Sequence, residues 1–207
     1  MGLLNLLIKD PLAFLLLSVL LLYSVIIHEL AHGWVAYRMG DPTAKGAGRL
    51  TLNPVKHLDP IGTLMLFMLG FGWAKPVPVD FSYVKDSRTG LIMIASAGII
   101  ANMILAFLAL LIYQIFSPPQ TSLFAKILYY LAQINIMLAA FNLIPIPPLD
   151  GSKILMGFTS ERFQDTLSRF EPYGFFIIIV LLYIGALDPV IAFFHWMILA
   201  IIGFLLP

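Results

Sequence analysis

PLAFLLLSVLLLYSVIIHELAHGWVAYRM, residues 11–39, is the stretch that decides the fold. Pro11 suits the first turn of a helix, and the apolar run from Leu12 to about Met39 ends at Gly40-Asp41-Pro42. At 1.5 Å per residue it makes a helix of roughly 40 Å, enough to cross a bilayer with some tilt. Inside it stands His28-Glu29-Leu30-Ala31-His32. Two imidazoles and a carboxylate are costly to bury in lipid, so they point to function rather than to packing.

The rest of the chain supports lipid as the solvent. Of 207 residues, 60% are hydrophobic and 11% charged, and the mean hydropathy is +0.96. A soluble domain needs far more charge to cover its surface. Cysteine is absent, which excludes disulfides, thiolate metal sites and cysteine nucleophiles and leaves His, Asp and Glu as ligands. The net charge of +1 comes with no basic stripe, and no nucleic-acid partner is expected. The first apolar run lacks a basic start and a small-residue cleavage site, and it does not read as a cleaved signal peptide.

Two further spans are expected over about 89–116, stopped by Ser117-Pro118-Pro119, and over about 122–145, where Pro145-Ile146-Pro147-Pro148 begins. Residues 151–170 carry an amphipathic pattern and read as a surface helix. Two apolar stretches, 172–187 and 189–206, read as a helical pair turning at Asp188-Pro189. Residues 40–88 are polar and rich in Gly and Pro. Within them Ile61–Phe71 is marginal for a span and reads as re-entrant or interfacial, and Ala47–Leu52 and Trp73–Tyr83 read as strands of a small hairpin region. The expected fold is an all-α polytopic membrane bundle. It comprises a core of residues 1–170, built on three helices, and a C-terminal transmembrane hairpin over 171–207.

Charge orients this layout. Of the twelve Lys and Arg, seven lie between the first and second spans and three more follow the third; only Lys9 and Lys126 fall on the other side. The positive-inside rule places 40–88 and 150–170 in the cytoplasm and the N-terminus outside. That alternation requires that Ile61–Phe71 does not cross. His28 lies about 11 residues from the cytoplasmic helix end, roughly 15 Å inside that face.

In a helix, positions i and i+4 share a face, so His28 and His32 can hold one Zn²⁺. Glu29 is placed beside them to take a proton from water as general base. Catalytic zinc takes three protein ligands, and Asp150, in Asn142-Leu-Ile-Pro-Ile-Pro-Pro-Leu-Asp150-Gly151, is the best-placed third. Gly151 lets the backbone turn closely behind that carboxylate. The alternative is that Asp150 caps the helix that follows it.

HELAH on a first membrane helix, followed on a later one by NLIPIPPLDG, resembles the site-2 protease family of intramembrane zinc metalloproteases. The resemblance covers the chain from the first span through Gly151, and it looks like a short form without PDZ or CBS domains. It implies one zinc held by His28, His32 and Asp150, with Glu29 as general base and Asn142 near the scissile carbonyl. Ser96-Ala-Gly98-Ile99-Ile-Ala-Asn102 resembles the family's small-residue helix beside the zinc, with Ile99 where Pro is common. That implies a substrate-binding role for Asn102; the alternative is a seam of small residues for helix packing. The activity implied is zinc-dependent endopeptidase cleavage within or next to transmembrane segments of other membrane proteins, in a prokaryotic cell membrane.

Lys75-Pro76-Val77-Pro78-Val79-Asp80 adds one more expectation. Pro76 and Pro78 remove donors from one strand edge, while Val77 and Val79 keep theirs on the other and can pair with an unwound substrate. The alternative is a Pro-rich covering loop. His57 and Asp59 read as turn residues, and His195 as an interfacial or core histidine. A metal transporter needs ligands strung between both faces, and this chain offers one cluster. The sequence sets no oligomeric state.

Overall fold

The structure, a computed structural model, describes residues 7–69, 74–84 and 87–207. Residues 70–73, 85 and 86 lie outside the described set, and with them the end of the Ile61–Phe71 patch and the start of the strand expected at Trp73. The helices are α1 (Pro11–Arg38), α2 (Thr43–Gly46), α3 (Pro60–Leu69), α4 (Ser87–Phe116), α5 (Leu123–Asn142), α6 (Asp150–Gly157), α7 (Glu161–Tyr183) and α8 (Asp188–Leu205). Among the described residues five of them, α1, α4, α5, α7 and α8, are long and apolar enough to cross a membrane.

Local chemistry fixes the ends of α1. The Asp10 carboxylate accepts from Ala13 N–H at 3.0 Å, with Pro11 next in the first turn. At the other end Gly40 has φ +109°; Asp41 N–H reaches Ala36 C=O and Gly40 N–H reaches Tyr37 C=O. This is a Schellman stop, and a side chain at position 40 would be strained. Arg38 lies over the exposed Trp34 ring at 4.4 Å, an aromatic-basic pair suited to a membrane interface.

α4 is the axis of the molecule and packs against α1, α5 and α6. Its buried Ala95, Ala97, Ala106 and Ala109 allow close approach, the means by which helices associate where lipid removes the hydrophobic drive. α8 packs on α5 and puts Ile198 and Ile202 into the core that holds Ile99, Ala106, Ile136, Ala139 and Ala140. The outer faces stay apolar: Leu12, Leu15 and Val19 on α1, Ile100, Ile104 and Leu108 on α4, and Phe193, Trp196 and Phe204 on α8 are all exposed. Such faces are inverted for water and correct for a bilayer.

Three expectations are corrected. Residues 151–170 do not form one surface helix: α6 ends at Gly157, and α7 begins at Glu161 and runs through Pro172 to Tyr183. The 170/171 boundary therefore falls inside α7, and α8 shares the core of α4 and α5. A Pro within a helix costs one backbone bond, which membrane helices tolerate. Gly174 lets α7 pass the Pro147 carbonyl, which a Cβ there would strike.

Secondly, no strand forms among the described residues; the pairing is a single antiparallel bridge, Leu58 to Ala74. Ala47–Leu52 is a turn around Gly48 at φ +64°. In the 75–80 strap, Pro76 and Pro78 have no donor, and Val77 and Asp80 give theirs to side chains, so no ladder can run.

Thirdly, the expected third helix stops at Asn142, before the prolines rather than within them. The described flanks of the Ile61–Phe71 patch meet. Lys75 N–H donates to His57 C=O at 2.8 Å, so the segment between them returns to where it left. The ten-residue α3 is about 15 Å long, half a bilayer core.

Candidate metal centre

His28 and His32 lie one turn apart on α1, their ring centroids 4.6 Å from each other. Each is tied at Nδ1. His32 Nδ1 is 2.6 Å from Ile94 C=O, and His28 Nδ1 is 2.5 Å from Asn102 Oδ1. A carbonyl can only accept, so His32 carries its proton on Nδ1 and aims the Nε2 lone pair inward. Asp150 faces this pair. Its Oδ2 is 3.0 Å from His28 Nε2 and 3.2 Å from His32 Nε2, and the two Nε2 atoms are 3.0 Å apart.

This triangle fits a small cation. All three residues are buried, and Asp150 Oδ2 has no hydrogen bond of proper geometry. With Nδ1 protonated on both rings, three acceptor atoms converge and repel unless a cation lies among them. Tetrahedral zinc with bonds of about 2.0–2.1 Å separates its ligand atoms by roughly 3.3 Å, close to the distances found. Among the described residues no other group of three such side chains converges.

Backbone geometry delivers Asp150. α5 ends at Asn142, the chain turns through the prolines, and Leu149 occupies the cap position of α6 with no side-chain cap bond. The capping alternative for Asp150 is thereby excluded. Gly151 is needed because a Cβ there would strike the Leu143 carbonyl. Gly98 has a comparable part: a Cβ on it would strike His32 Nε2 and come within 2.6 Å of His28 Cε1. Any other residue at 98 would push α4 off the histidine pair.

Glu29 shares a cavity of about 520 Å³ with His28, His32, Asp150 and Asn142. Its Oε2 accepts from Val77 N–H at 2.9 Å, and Val77 nests over Gly33, where a Cβ would lie 2.7 Å from its Cγ1. Val77 was expected to offer its donor to substrate; that donor is engaged by Glu29, because a carboxylate is the strongest acceptor in reach. Val79 lines the same cavity, and its N–H has no partner among the described residues. Asn142 donates to Leu138 C=O at 3.0 Å with one amide hydrogen, which leaves the other. Asn102 departs most from expectation. It is fully buried, between His28 and Asn135, and touches no substrate space.

Several contributors were not found by sequence reasoning. Asn135 accepts from Asn102 Nδ2 at 2.7 Å and donates to Ser24 Oγ at 2.8 Å. Asp41, fully buried, accepts from Asp80 N–H at 2.8 Å, and Arg49 donates to Lys75 C=O at 2.6 Å; together they hold the strap over Glu29. An Asn inside an apolar span was the available signal for Asn135. His57 and Asp59 stand apart from the centre: His57 bonds Thr51 C=O at 2.8 Å, and Asp59 accepts from Gly62 N–H at 2.7 Å. Among the described residues His195 on α8 joins no such cluster.

Comparison with known proteins agrees with this chemistry. Peptidase family M50 matches residues 16–124 and 117–185. The chain is 40% identical over 172 residues to YwhC of Bacillus subtilis, a candidate zinc metalloprotease, covering 80% of this chain and 78% of that protein. It is 32% identical over 172 residues to the candidate zinc metalloprotease Rip2 of Mycolicibacterium smegmatis, covering 81% of this chain and 66% of that one. Over 147 residues it is 30% identical to the zinc metalloprotease MJ0392 of Methanocaldococcus jannaschii, covering 71% of this chain and 35% of that one. No solved structure matches. The chain thus belongs to peptidase family M50, the site-2 proteases, and is a multi-pass membrane zinc metalloprotease.

Proposed function

We propose that this metalloprotease is an intramembrane endopeptidase that hydrolyses peptide bonds within or next to transmembrane segments of other membrane proteins. The observation that carries the reading is the convergence of three buried acceptor atoms beside Glu29, in a cavity bounded by membrane-length helices. His28, His32 and Asp150 hold one zinc per chain. When bound, zinc supplies a Lewis acid that acidifies water and polarises a carbonyl.

Glu29 performs the proton transfers. Val77 N–H fixes Oε2, leaving Oε1 to take the proton of the attacking water and then pass it to the leaving amine. The second amide hydrogen of Asn142 is available to the developing oxyanion. Val79 is available to pair with one residue of substrate backbone beside the strap. The substrate enters unwound, because a helical peptide bond is shielded by its own hydrogen bonds.

His28 lies ten residues before the end of α1 at Arg38, about 15 Å in. The charge distribution supports a cytoplasmic position for that end. A reporter fused after Lys56 is expected to read cytoplasmic and one at Pro119 external; the reverse would turn the site to the other face. The direct test is Glu29→Gln in a membrane-substrate cleavage assay with zinc quantified in parallel. Cleavage should fall about 10²–10⁴-fold with zinc retained. Retention of more than about a hundredth of the wild-type rate would remove Glu29 as general base.

A further inference from the structure

We infer that Asn135 is a positioning residue for the metal centre: it forces the Asn102 amide into the one orientation that keeps the His28 Nε2 lone pair free for zinc. The inference rests on the reading of His28 as a ligand.

An amide has two faces of nearly equal shape, one accepting and one donating. If Asn102 presented its NH₂ to His28 Nδ1, the imidazole proton would sit on Nε2, between His32 and Asp150, and the ligand atom would be lost. The recorded partners of the Asn102 side chain are His28 and Asn135. Its orientation therefore depends on what Asn135 presents to it.

Asn135 has no such freedom. Its Nδ2 lies 2.8 Å from the Leu131 carbonyl, which can only accept, and 2.8 Å from Ser24 Oγ. Its oxygen must then face Asn102, 2.7 Å away. Asn102 must answer with its NH₂ and turn its own oxygen to His28, 2.5 Å away. His28 Nδ1 must then carry the proton. One backbone carbonyl on α5 sets the tautomer of a ligand on α1 through two amides. Ser24, Asn102 and Asn135 are at most 1% exposed, so no water stands in for a missing partner. His32 needs no relay, because Ile94 C=O sets its tautomer directly.

The test is zinc affinity of the full-length protein in detergent micelles, measured by chelator competition. Asn135→Leu should weaken zinc binding about 10–100-fold. Asn102→Asp removes the wrong face, since both carboxylate oxygens accept. In that background Asn135→Leu should change affinity less than about threefold, far below the usual outer-shell effect. Asn135→Asp as the neutral acid keeps an O–H for the Leu131 carbonyl and a C=O to accept from Asn102, so it should bind zinc nearly as wild type and serves as the second arm if the double variant does not fold. Equal losses from Asn135→Leu in both backgrounds, or an Asn135→Asp as damaging as Asn135→Leu, would reduce Asn135 to a packing residue and overturn the inference. His28→Ala separates the two readings. If it keeps zinc, the ligand assignment fails; if it loses zinc while Asn135→Leu keeps it, only the relay fails.

Discussion

His57 and the His28–His32 pair are both buried, and their nitrogens are used in opposite ways. His57 lies in the loop before α3, its Nε2 on the Thr51 carbonyl and its Nδ1 without a partner. It belongs to no group of three such ligands among the described residues. Its own carbonyl meanwhile accepts from Lys75 N–H and anchors the strap. On α1 both Nδ1 atoms are tied off and both Nε2 atoms face Asp150. Burial does not mark a ligand. Convergence of acceptors with no hydrogen to share does.

Disturbing that convergence should have the largest effect. Gly98→Ala adds a methyl where His32 Nε2 lies. Zinc affinity should fall on the order of 100-fold, with cleavage lost alongside, as seen when outer-shell support of a metal is removed. Normal zinc binding in that variant would mean that α4 does not set the position of the pair. Next comes the strap. Val77→Pro deletes the N–H on Glu29 Oε2 and should lower kcat about 10–100-fold at full zinc occupancy, the worth of a hydrogen bond to a charged group. Pro76→Ala, which removes no donor, should stay within about twofold of wild type, inside the range of a neutral surface change. Equal effects at 76 and 77 would detach the strap from the chemistry. The smallest effect on activity belongs to the other histidine. His57→Ala should keep its zinc yet lose about 1–3 kcal/mol of stability through its buried contacts, readable as a lower Tm in detergent.

The three core spans were legible because lipid imposes length and apolarity directly on sequence. The ends of the first two were legible too, because Gly or Pro follows them, whereas the third stops at Asn142, ahead of its prolines. The proposed ligand set, three side chains that the structure brings together, was legible from i, i+4 spacing and from a carboxylate placed after a proline turn. What escaped depended on partners distant in sequence. Pro172 reads as a helix start, yet α7 runs through it, with Gly174 packed on the Pro147 carbonyl. Val77 reads as a free strand edge until Glu29, 48 residues earlier, takes its donor. Asn102 reads as a substrate contact until Asn135 and His28 enclose it. In each case local propensity was outweighed by a tertiary acceptor or packing surface that no window of sequence contains.

The central claim, that converging acceptors and not burial define the metal centre, is tested most directly by zinc stoichiometry in purified, detergent-solubilised protein. Wild type, Asp150→Ala and His57→Ala should be assayed by elemental mass spectrometry after identical dialysis. The account predicts one zinc per chain in wild type and in His57→Ala, and loss of most zinc in Asp150→Ala. Zinc retained without the Asp150 carboxylate, or lost with His57, would contradict it.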